Sequence, residues 1–476
     1  MSDVVLIRLE DPHHHQFYPP LGLLYVASAL MLDGFTVKIF HEKGGNKKIN
    51  RLRGMINDEN PFLVAFSVFT GPHLYYNLKA SEIIKEEHGV PVVWGGIHPT
   101  ILPEVTINVP FIDYVVIGEG EETIVELAER LRRGRSVKGV NGLCYKENGN
   151  VIINEWRPFV KNLDRYVLPW ELVDVEKYVQ KQWGVERVLP IITSRGCPYD
   201  CGFCYNTYVH KRRWRAHSPD YVISQVSFLK ERYDIQGINF YDANFFTDKS
   251  RAFKILSSIN MPWAAEVRAD EFDMEFGKKM KEFLCRELFI GAESGSDRVL
   301  KIINKEITTE QIDNAVKICN EFGIRASLSF MLGIPGETEE DIRRTVEFMY
   351  DLKEKYQCAK IFGPKVFTPY PGTPLYPKAI EFGLQPPTTS LEWARNFHRF
   401  KCNLPWVDNK NLLESLYFIC QLAQMNAKDP ISKIIKSIED FRWKNQHFKF
   451  LYEIEIVKTL AKSPMLVRLF FKHFGC

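Results

Sequence analysis

Apolar runs and amphipathic stretches alternate along the first 134 residues. Uniformly apolar runs of strand length lie at 4–9, 36–40, 62–68, 91–96 and 113–118. Stretches with the apolar spacing of a helix lie at 21–34, 73–89 and 121–134. Strands that are apolar throughout and separated by helices are typical of a parallel sheet covered on both faces. The pattern therefore predicts an N-terminal α/β domain with a doubly wound, Rossmann-like sheet.

The predicted strands of this sheet end in small residues. Ligands of doubly wound sheets bind beyond the carboxyl ends of the strands, and glycine lets a ligand approach the backbone closely. The residues concerned are Ser67, Thr70, Gly71, Gly95, Gly96, Gly118 and Gly120. A tight turn explains any one of these glycines, but several together favour a site for a large planar ligand.

Three consecutive histidines, His13, His14 and His15, follow the first strand. A solvated loop and a ligand contact at the sheet edge both explain them.

Strand and helix patterns alternate again in the middle of the chain. A hairpin at 142–154, with Asn148-Gly149 at its turn, and an irregular segment to about 185 come first. Strand candidates then lie at 188–193, 237–242, 263–270, 287–293, 325–333 and 360–370. Six strand–helix units predict an incomplete β/α barrel, a partial TIM-like (β/α)6 fold, with its active site at the carboxyl face. Polar residues fall at that face: Asp242, Arg268, Glu293 and Ser294.

Length and composition limit the alternatives. A chain of 476 residues predicts about two to four domains, and we place their limits at 1–140, 141–185, 186–385 and 386–476. The net charge of +3 gives no sign of a nucleic-acid partner. No apolar run reaches the roughly 18 residues of a membrane span. Seven of the ten cysteines are scattered singly, which suits the reducing cytoplasm.

The last segment, 386–476, is mostly helical by pattern, and it is basic from Ile431 onward. It ends in an apolar stretch at 463–476 with interspersed Arg468, Lys472 and His473. A helical cap over the active-site mouth is one interpretation. An interfacial helix that contacts a membrane at its periphery, and helps reach a lipid-like substrate, is the other.

The remaining three cysteines, Cys197, Cys201 and Cys204, are spaced C-x3-C-x2-C after the first barrel strand. A structural zinc site needs a fourth ligand, for which His210 is near enough in sequence. A ferredoxin site needs a fourth cysteine, and none is near. The remaining interpretation is a [4Fe–4S] cluster with one open iron, and an open metal position is typical of catalysis.

This spacing, with the aromatic Phe203 before the last cysteine, resembles the motif of the radical S-adenosylmethionine (SAM) enzymes. Further blocks that resemble the family lie at 240–248, 265–270, 290–305 and 331–341. The resemblance implies that SAM chelates the open iron and is cleaved to a 5′-deoxyadenosyl radical, which abstracts hydrogen from a substrate.

The resemblance also implies roles for individual residues. The three cysteines would ligate the cluster, and Phe203 would pack near the SAM adenine. Glu293 and Ser294 would lie by the ribose or methionyl end, and Arg268 would reach the carboxylate. The Gly333–Pro335 backbone would border the adenine, and Asp242 lies at the same face. A buried ion pair is the alternative for both Glu293 and Arg268.

The N-terminal segments 19–30, 95–100 and 115–127 resemble the cobalamin (B12)-binding domain that precedes the barrel in one subgroup of this family. The resemblance covers roughly residues 3–385. It implies that cobalamin is lined by Leu21, Gly22, Ser67, Thr70, Gly71, Gly95, Gly96, His98, Gly118, Glu119 and Gly120. His98 is equally well explained as a hydrogen-bonded turn residue.

The resemblance predicts a cobalamin-dependent radical SAM enzyme, most often a methyltransferase acting on an unactivated carbon of a small-molecule or lipid-like substrate. An electron donor such as flavodoxin or ferredoxin is implied. The alternatives are an oxidative cyclase like the anaerobic magnesium-protoporphyrin monomethyl ester cyclases, a tRNA methylthiotransferase, and a non-catalytic iron–sulfur or cobalamin-binding protein. The methylthiotransferase should carry three further N-terminal cysteines, whereas only Cys144 is present there.

Overall fold

The structure, a computed structural model, describes residues 1–12, 17–396, 404–423 and 430–445. His13–His15 and the apolar stretch 463–476 therefore lie outside the described residues. The N-terminal elements are β1 (Val4–Glu10), α1 (Leu21–Leu32), β2 (Val37–Lys43), α2 (Asn46–Glu59), β3 (Leu63–Ser67), α3 (His73–His88), β4 (Val92–Gly95), α4 (Ile97–Ile101), α5 (Pro103–Ile107), β5 (Tyr114–Val116), α6 (Glu121–Arg132), β6 (Leu143–Glu147) and β7 (Asn150–Ile153).

The first sheet has the strand order β2-β1-β3-β4-β5-β6-β7. Its first five strands are parallel, which confirms the predicted doubly wound sheet. The hairpin β6–β7, expected in the segment 141–185 between the domains, instead pairs antiparallel with β5 and extends this sheet.

Strand β1 shows why the sheet is buried on both faces. Val4 and Leu6 belong to one apolar core, Val5 and Ile7 belong to a second core across the sheet, and all four are 0% exposed. Because successive side chains of a strand point to opposite faces, a continuous apolar run fills both layers.

Three 3-10 turns at Leu163–Arg165, Trp170–Leu172 and Val175–Lys177 lead to the second half of the chain. Its elements are β8 (Gln180–Gln182), β9 (Val185–Ile191), β10 (Ser194–Arg195), α7 (Asn206–Val209), β11 (Arg215–Ala216), α8 (Pro219–Tyr233), β12 (Gly237–Phe240), α9 (Lys249–Ile259), β13 (Trp263–Val267), α10 (Met274–Glu282), β14 (Cys285–Glu293), α11 (Asp297–Ile302), α12 (Thr309–Phe322), β15 (Arg325–Leu332), α13 (Glu339–Lys355), β16 (Ala359–Val366) and α14 (Leu375–Glu381).

The second sheet has the order β16-β15-β14-β13-β12-β9-β8. Six of its strands are parallel and β8 pairs antiparallel with β9, so the predicted partial barrel is confirmed. The turns between the sheets are not loose, because Tyr166, Trp170 and Tyr178 are buried in an apolar core that includes residues of both halves. The two sheets consequently pack as neighbours.

The described C-terminal elements are α15 (Ser390–Asn396), α16 (Lys410–Ala423) and α17 (Pro430–Lys444), as the helical pattern predicts. Trp393 of α15 is buried in the second core of the N-terminal sheet, and Trp443 of α17 donates to the Val346 carbonyl at 3.2 Å. Helices of the described segments are either too short or too polar to cross a membrane.

Candidate functional site

The cysteine loop starts where β9 ends and passes through a short antiparallel pair, β10 with β11. At Gly196, φ is +80°, and a Cβ there would collide with the Arg213 carbonyl, so the turn requires glycine. Gly202 at the loop centre donates to the Ile303 carbonyl at 2.7 Å and accepts from the Leu375 amide at 2.9 Å. The loop is thereby held from two sides before any cofactor binds.

The three thiols of this loop form the predicted cluster donor set. Cys201 is buried, Cys197 and Cys204 are half-buried, and none is in a disulfide. Burial raises the pKa of all three thiols, that of Cys204 to about 11. Buried thiolates therefore need positive charge beside them, which iron supplies. A thiol-only donor set fits an iron–sulfur cluster.

The zinc alternative requires three cysteines and His210 around one ion. Among the side chains that the structure describes, no group of three or more His, Cys, Asp or Glu is arranged to hold a single metal ion. His210 instead lies against Phe159, with a ring-centroid distance of 6.3 Å, and burial lowers its pKa to about 4.

Two cations lie beside the cysteine loop, and each is already ion-paired. Arg268 pairs with Asp270 at 3.0 Å and stacks 3.6 Å above the ring centroid of Tyr199. Lys305 pairs with Glu293 at 3.0 Å, and its ammonium lies 5.7 Å from the Phe203 ring centroid. Arg268 and Glu293 therefore form the ion pairs that were the alternative to SAM binding, and both ion pairs lie near the cysteine loop.

Ser294 and Gly333, which are also predicted to contact SAM, form hydrogen bonds with other groups of the protein. The buried Ser294 hydroxyl lies 2.9 Å from the Thr345 hydroxyl and accepts from the Ser296 amide at 3.1 Å. Gly333 donates to Glu337 at 2.6 Å and accepts from the Trp406 indole at 2.9 Å. Both backbone groups of Gly333 are therefore used, and the neighbouring Pro335 is buried.

Asp242 lines a cavity between the two sheets, described below, and it also fixes the start of the cysteine loop. Its fully buried carboxyl accepts from the Thr193 amide at 3.1 Å, from the Thr193 hydroxyl at 3.0 Å and from Ser194. Burial raises the pKa of Asp242 and these hydrogen bonds oppose the increase.

A cavity of about 1380 Å³ lies between the carboxyl edges of the two sheets. Drug-sized ligands occupy pockets of roughly 300–1,000 Å³, so this cavity has room for more than one. Gly196, Tyr205 and Asn206 of the cysteine loop line one side. On the opposite side it is lined by eight of the predicted cobalamin residues: Leu21, Gly22, Ser67, Gly95, Gly96, Gly118, Glu119 and Gly120.

The glycines on this side fit a large, flat ligand. Gly22 faces open space, where a side chain would project into the cavity. Gly96 has φ of +101°, and a Cβ there would lie 2.8 Å from the Val68 carbonyl oxygen. Glycine alone is accommodated at the Gly96 turn, and at Gly22 the backbone of α1 is open to the cavity.

Three predicted cobalamin contacts, Thr70, Gly71 and His98, lie outside the cavity lining. Nδ1 of the fully buried His98 lies 3.2 Å from the Thr70 hydroxyl, and its ring packs edge-on against Trp393. Burial lowers the pKa of His98 to about 3. These contacts meet the alternative interpretation of His98 as a hydrogen-bonded turn residue only in part, because its Nε2 is buried without a hydrogen-bond partner among the described residues.

A buried ion network joins the two sides of the cavity, and sequence reasoning missed it. Arg195, two residues before the first cysteine, pairs with Glu119 at 3.0 Å and with Glu121 at 2.6 Å. Arg215 pairs with Glu119 at 2.8 Å. Only the position of Arg195 next to the motif hinted at this role, since its partners precede it by 76 and 74 residues.

Comparisons with known proteins agree with this arrangement. The B12 binding domain family matches residues 14–128, and the Radical SAM superfamily matches residues 191–349. The uncharacterized methyltransferase PH0819 of Pyrococcus horikoshii is 38% identical over 385 residues, 79% of this chain and 81% of that protein. The anaerobic magnesium-protoporphyrin IX monomethyl ester cyclase of Rubrivivax gelatinosus is 26% identical over 75% of this chain and 66% of its own length.

Among solved structures, the radical SAM methyltransferase TsrM from Kitasatospora setae, with cobalamin and a [4Fe–4S] cluster bound, is similar in fold. Its TM-score is 0.64 at 22% identity, over 83% of this chain and 81% of that one. The order of the two domains, the cysteine motif and the shared cavity all agree with these matches. This chain belongs to the cobalamin-dependent radical SAM enzymes.

Proposed function

We propose that this protein is a C-methyltransferase that uses a [4Fe–4S] cluster, SAM and cobalamin to methylate an unactivated carbon. The observation that carries the proposal is the single continuous cavity, which borders the cysteine loop on one side and the glycine-lined sheet edge on the other. When bound, the cluster supplies the electron that cleaves SAM, and cobalamin supplies the methyl group.

The chain's own residues would hold these groups. Cys197, Cys201 and Cys204 would ligate three irons, because they are the thiol set of an anchored loop. Arg268 and the Lys305–Glu293 pair would face the SAM end, beside Phe203. The glycines at 22, 95, 96, 118 and 120 would border cobalamin.

Radical SAM enzymes act on small-molecule substrates and need a reductant. A small electron-transfer protein such as flavodoxin or ferredoxin would fill that role for this chain. A peripheral membrane contact through the C-terminal tail stays a prediction, since the apolar stretch concerned lies outside the described residues.

The oxidative cyclase is the second candidate, supported by the Rubrivivax gelatinosus relative. The methylthiotransferase is disfavoured because the N-terminal domain holds only Cys144, which is buried. A non-catalytic carrier of either cofactor is disfavoured because it needs no cavity shared between the two sites.

The test does not require the substrate. The anaerobic holoenzyme is incubated with SAM carrying a deuterated methyl group and a chemical reductant, and the products are identified by mass spectrometry. A methyltransferase should form S-adenosylhomocysteine and leave the deuterated methyl group on cobalamin. Formation of 5′-deoxyadenosine without S-adenosylhomocysteine would contradict methyl transfer and favour the cyclase.

A further inference from the structure

The cavity continues from the cofactor edges into the barrel, where its walls are charged. The ionisable side chains that line this inner part come from the last four strands, β13 to β16: Glu266, Glu287, Arg325, Lys360 and Lys365. Sequence reasoning missed them, although alternate polar residues on a buried barrel strand are a sign of an inward polar face.

Strand β16, the open edge of the half-barrel, is shaped so that two lysines face inward. Lys360 pairs in register with Ser327 and Phe362 with Ser329, but Lys365 pairs with Met331. The partner strand advances two residues while β16 advances three, which is a β-bulge. Without the extra residue, Lys365 would point to the opposite face of the sheet.

The bulge is specified by Gly363. Its φ is +116°, and a Cβ there would lie 2.9 Å from the Phe330 carbonyl oxygen and 2.8 Å from the Lys365 amide nitrogen. A residue with a side chain does not fit this position. The chain therefore uses a dedicated local distortion to place Lys365 beside the cavity.

The two lysines are available for a ligand, whereas the other charges are partly used. Glu287 accepts from Ser327 and Trp183, and Arg325 lies 3.7 Å from it. The ammonium groups of Lys360 and Lys365 form no ion pair or hydrogen bond with the described residues, and both side chains are exposed and line the cavity.

The free carboxyl near these lysines is that of Glu266. Burial raises its pKa to about 7 and nearby Glu293 adds to the increase, so near neutral pH it is ionised only in part. Lys360 and Lys365 thus share the inner cavity with a carboxyl group that burial keeps partly neutral. The groups that face Glu266 are Glu287, Glu293, Lys305, Lys365, Tyr18 and Tyr241.

An aromatic surface lies on the same strands. The rings of Phe289 and Phe362 are 6.3 Å apart at 51°, both line the cavity, and Phe362 is 37% exposed. The Lys360 ammonium lies 4.8 Å from the Phe362 ring centroid. A ligand here meets an apolar face with an ammonium group on each side along the strand.

We propose that the barrel binds a substrate with an anionic group, a phosphate or a carboxylate, attracted by the ammonium groups of Lys360 and Lys365 at the two ends of the aromatic face, while its apolar part packs on Phe289 and Phe362. The inference deepens the proposed function by naming its substrate class and rests on it for the reaction. Binding itself needs no methyl transfer, so the two proposals fail separately.

The test uses four probes that share a phenyl ring: phenyl phosphate, phenylacetate, benzyl alcohol and benzylamine. Binding to the anaerobic holoenzyme is measured by ligand-observed NMR and by calorimetry, without turnover. The site variant is K360Q/K365Q. The matched control is K230Q/K317Q, which removes two charges from exposed positions on the outer helices α8 and α12.

We expect phenyl phosphate or phenylacetate to bind at least about tenfold more tightly than benzyl alcohol, because charge-assisted contacts are worth about a decade in affinity or more. The site variant should lose that preference, and the control should keep it. The tighter anion identifies phosphate or carboxylate as the group recognised. Equal or tighter binding of benzyl alcohol or benzylamine, no binding of any probe, or an unaffected K360Q/K365Q would overturn the proposal. None of these outcomes depends on whether S-adenosylhomocysteine is formed.

Discussion

Replacing Glu119 by glutamine tests whether the buried ion network holds the two sides of the cavity together. The Glu119 carboxylate accepts from Arg215 at 2.8 and 2.9 Å, from Arg195 at 3.0 Å and from the Val160 amide at 2.9 Å. Its side chain is 10% exposed and that of Arg195 is 13% exposed. Removing one partner of a buried pair costs roughly 3–5 kcal/mol. In E119Q the cost comes from Arg215, which loses its counter-charge, whereas Arg195 keeps its ion pair with Glu121.

Urea unfolding followed by circular dichroism measures this loss. With a urea dependence of about 3 kcal/mol per molar, a loss of about 3 kcal/mol lowers the midpoint by about 1 M. The control is E122Q at the start of helix α6, three residues further along, where the carboxylate is 42% exposed and 3.9 Å from Arg157. An exposed pair of this kind is worth at most about 1 kcal/mol, so its midpoint should shift by about 0.3 M or less.

The pH dependence has a defined sign. Burial opposes ionisation of Glu119, but the bonds from Arg215 and the charge of Arg195 lower its pKa below the ordinary 4.5. The stabilisation is therefore fully present above about pH 4.5 and is lost as the pH falls toward the folded-state pKa. The difference between wild type and E119Q should shrink below pH 4.5. Equal midpoints for E119Q and E122Q at neutral pH would refute the role of the network.

Three further outcomes follow from the site. Cys201→Ala should remove most of the bound iron and all 5′-deoxyadenosine formation while cobalt is retained; cleavage of SAM by the variant would rule out the cluster assignment. Gly96→Ala should lower the urea midpoint, because φ of +101° and the Val68 backbone exclude a Cβ. Its control is Gly54→Ala in α2, where a Cβ has no neighbour within 4 Å and the midpoint should stay unchanged or rise. Similar effects of the two substitutions would contradict the backbone strain at Gly96. Binding of phenylacetate, measured by calorimetry, should weaken as the pH rises from 6 to 8, because Glu266 with a pKa of about 7 gains negative charge. The E266Q variant should lose this pH dependence. The same pH dependence in E266Q would assign the effect to another group.

Much of the fold follows from local pattern, and the exceptions have physical reasons. The strands of the first sheet are readable because their apolar residues fill two packed layers, one on each face. Helix α2 is not predicted, since it is mostly polar and buries only Ile49, Leu52 and Ile56. The hairpin β6–β7 is predicted as a hairpin, but its pairing with β5 joins residues 27 to 31 positions apart, which no local pattern encodes.

The candidate site also combines features that local sequence patterns predict with features that they do not. The cysteine spacing and the glycines at strand ends are local signals, and the residues that they single out lie at the carboxyl edges of the two sheets. The partners of those residues are not local: Arg195 meets Glu119 across 76 positions. Lys365 faces inward only because of the bulge at Gly363, and simple alternation along β16 predicts the opposite face. Helix α15 packs against the N-terminal domain and places Trp393 beside His98. This contact joins residues that are far apart in the sequence.

The central claim is that one chain holds both cofactors on facing loops of a single cavity. The most direct measurement is the iron and cobalt content, with the UV–visible spectrum, of protein that has been reconstituted anaerobically with iron, sulfide and hydroxocobalamin and then desalted. We predict about four irons and about one cobalt per chain, with iron lost and cobalt kept in Cys201→Ala. About four irons without cobalt would contradict the account, because the glycine-lined half of the cavity would then have no cobalamin and the methyl group no carrier.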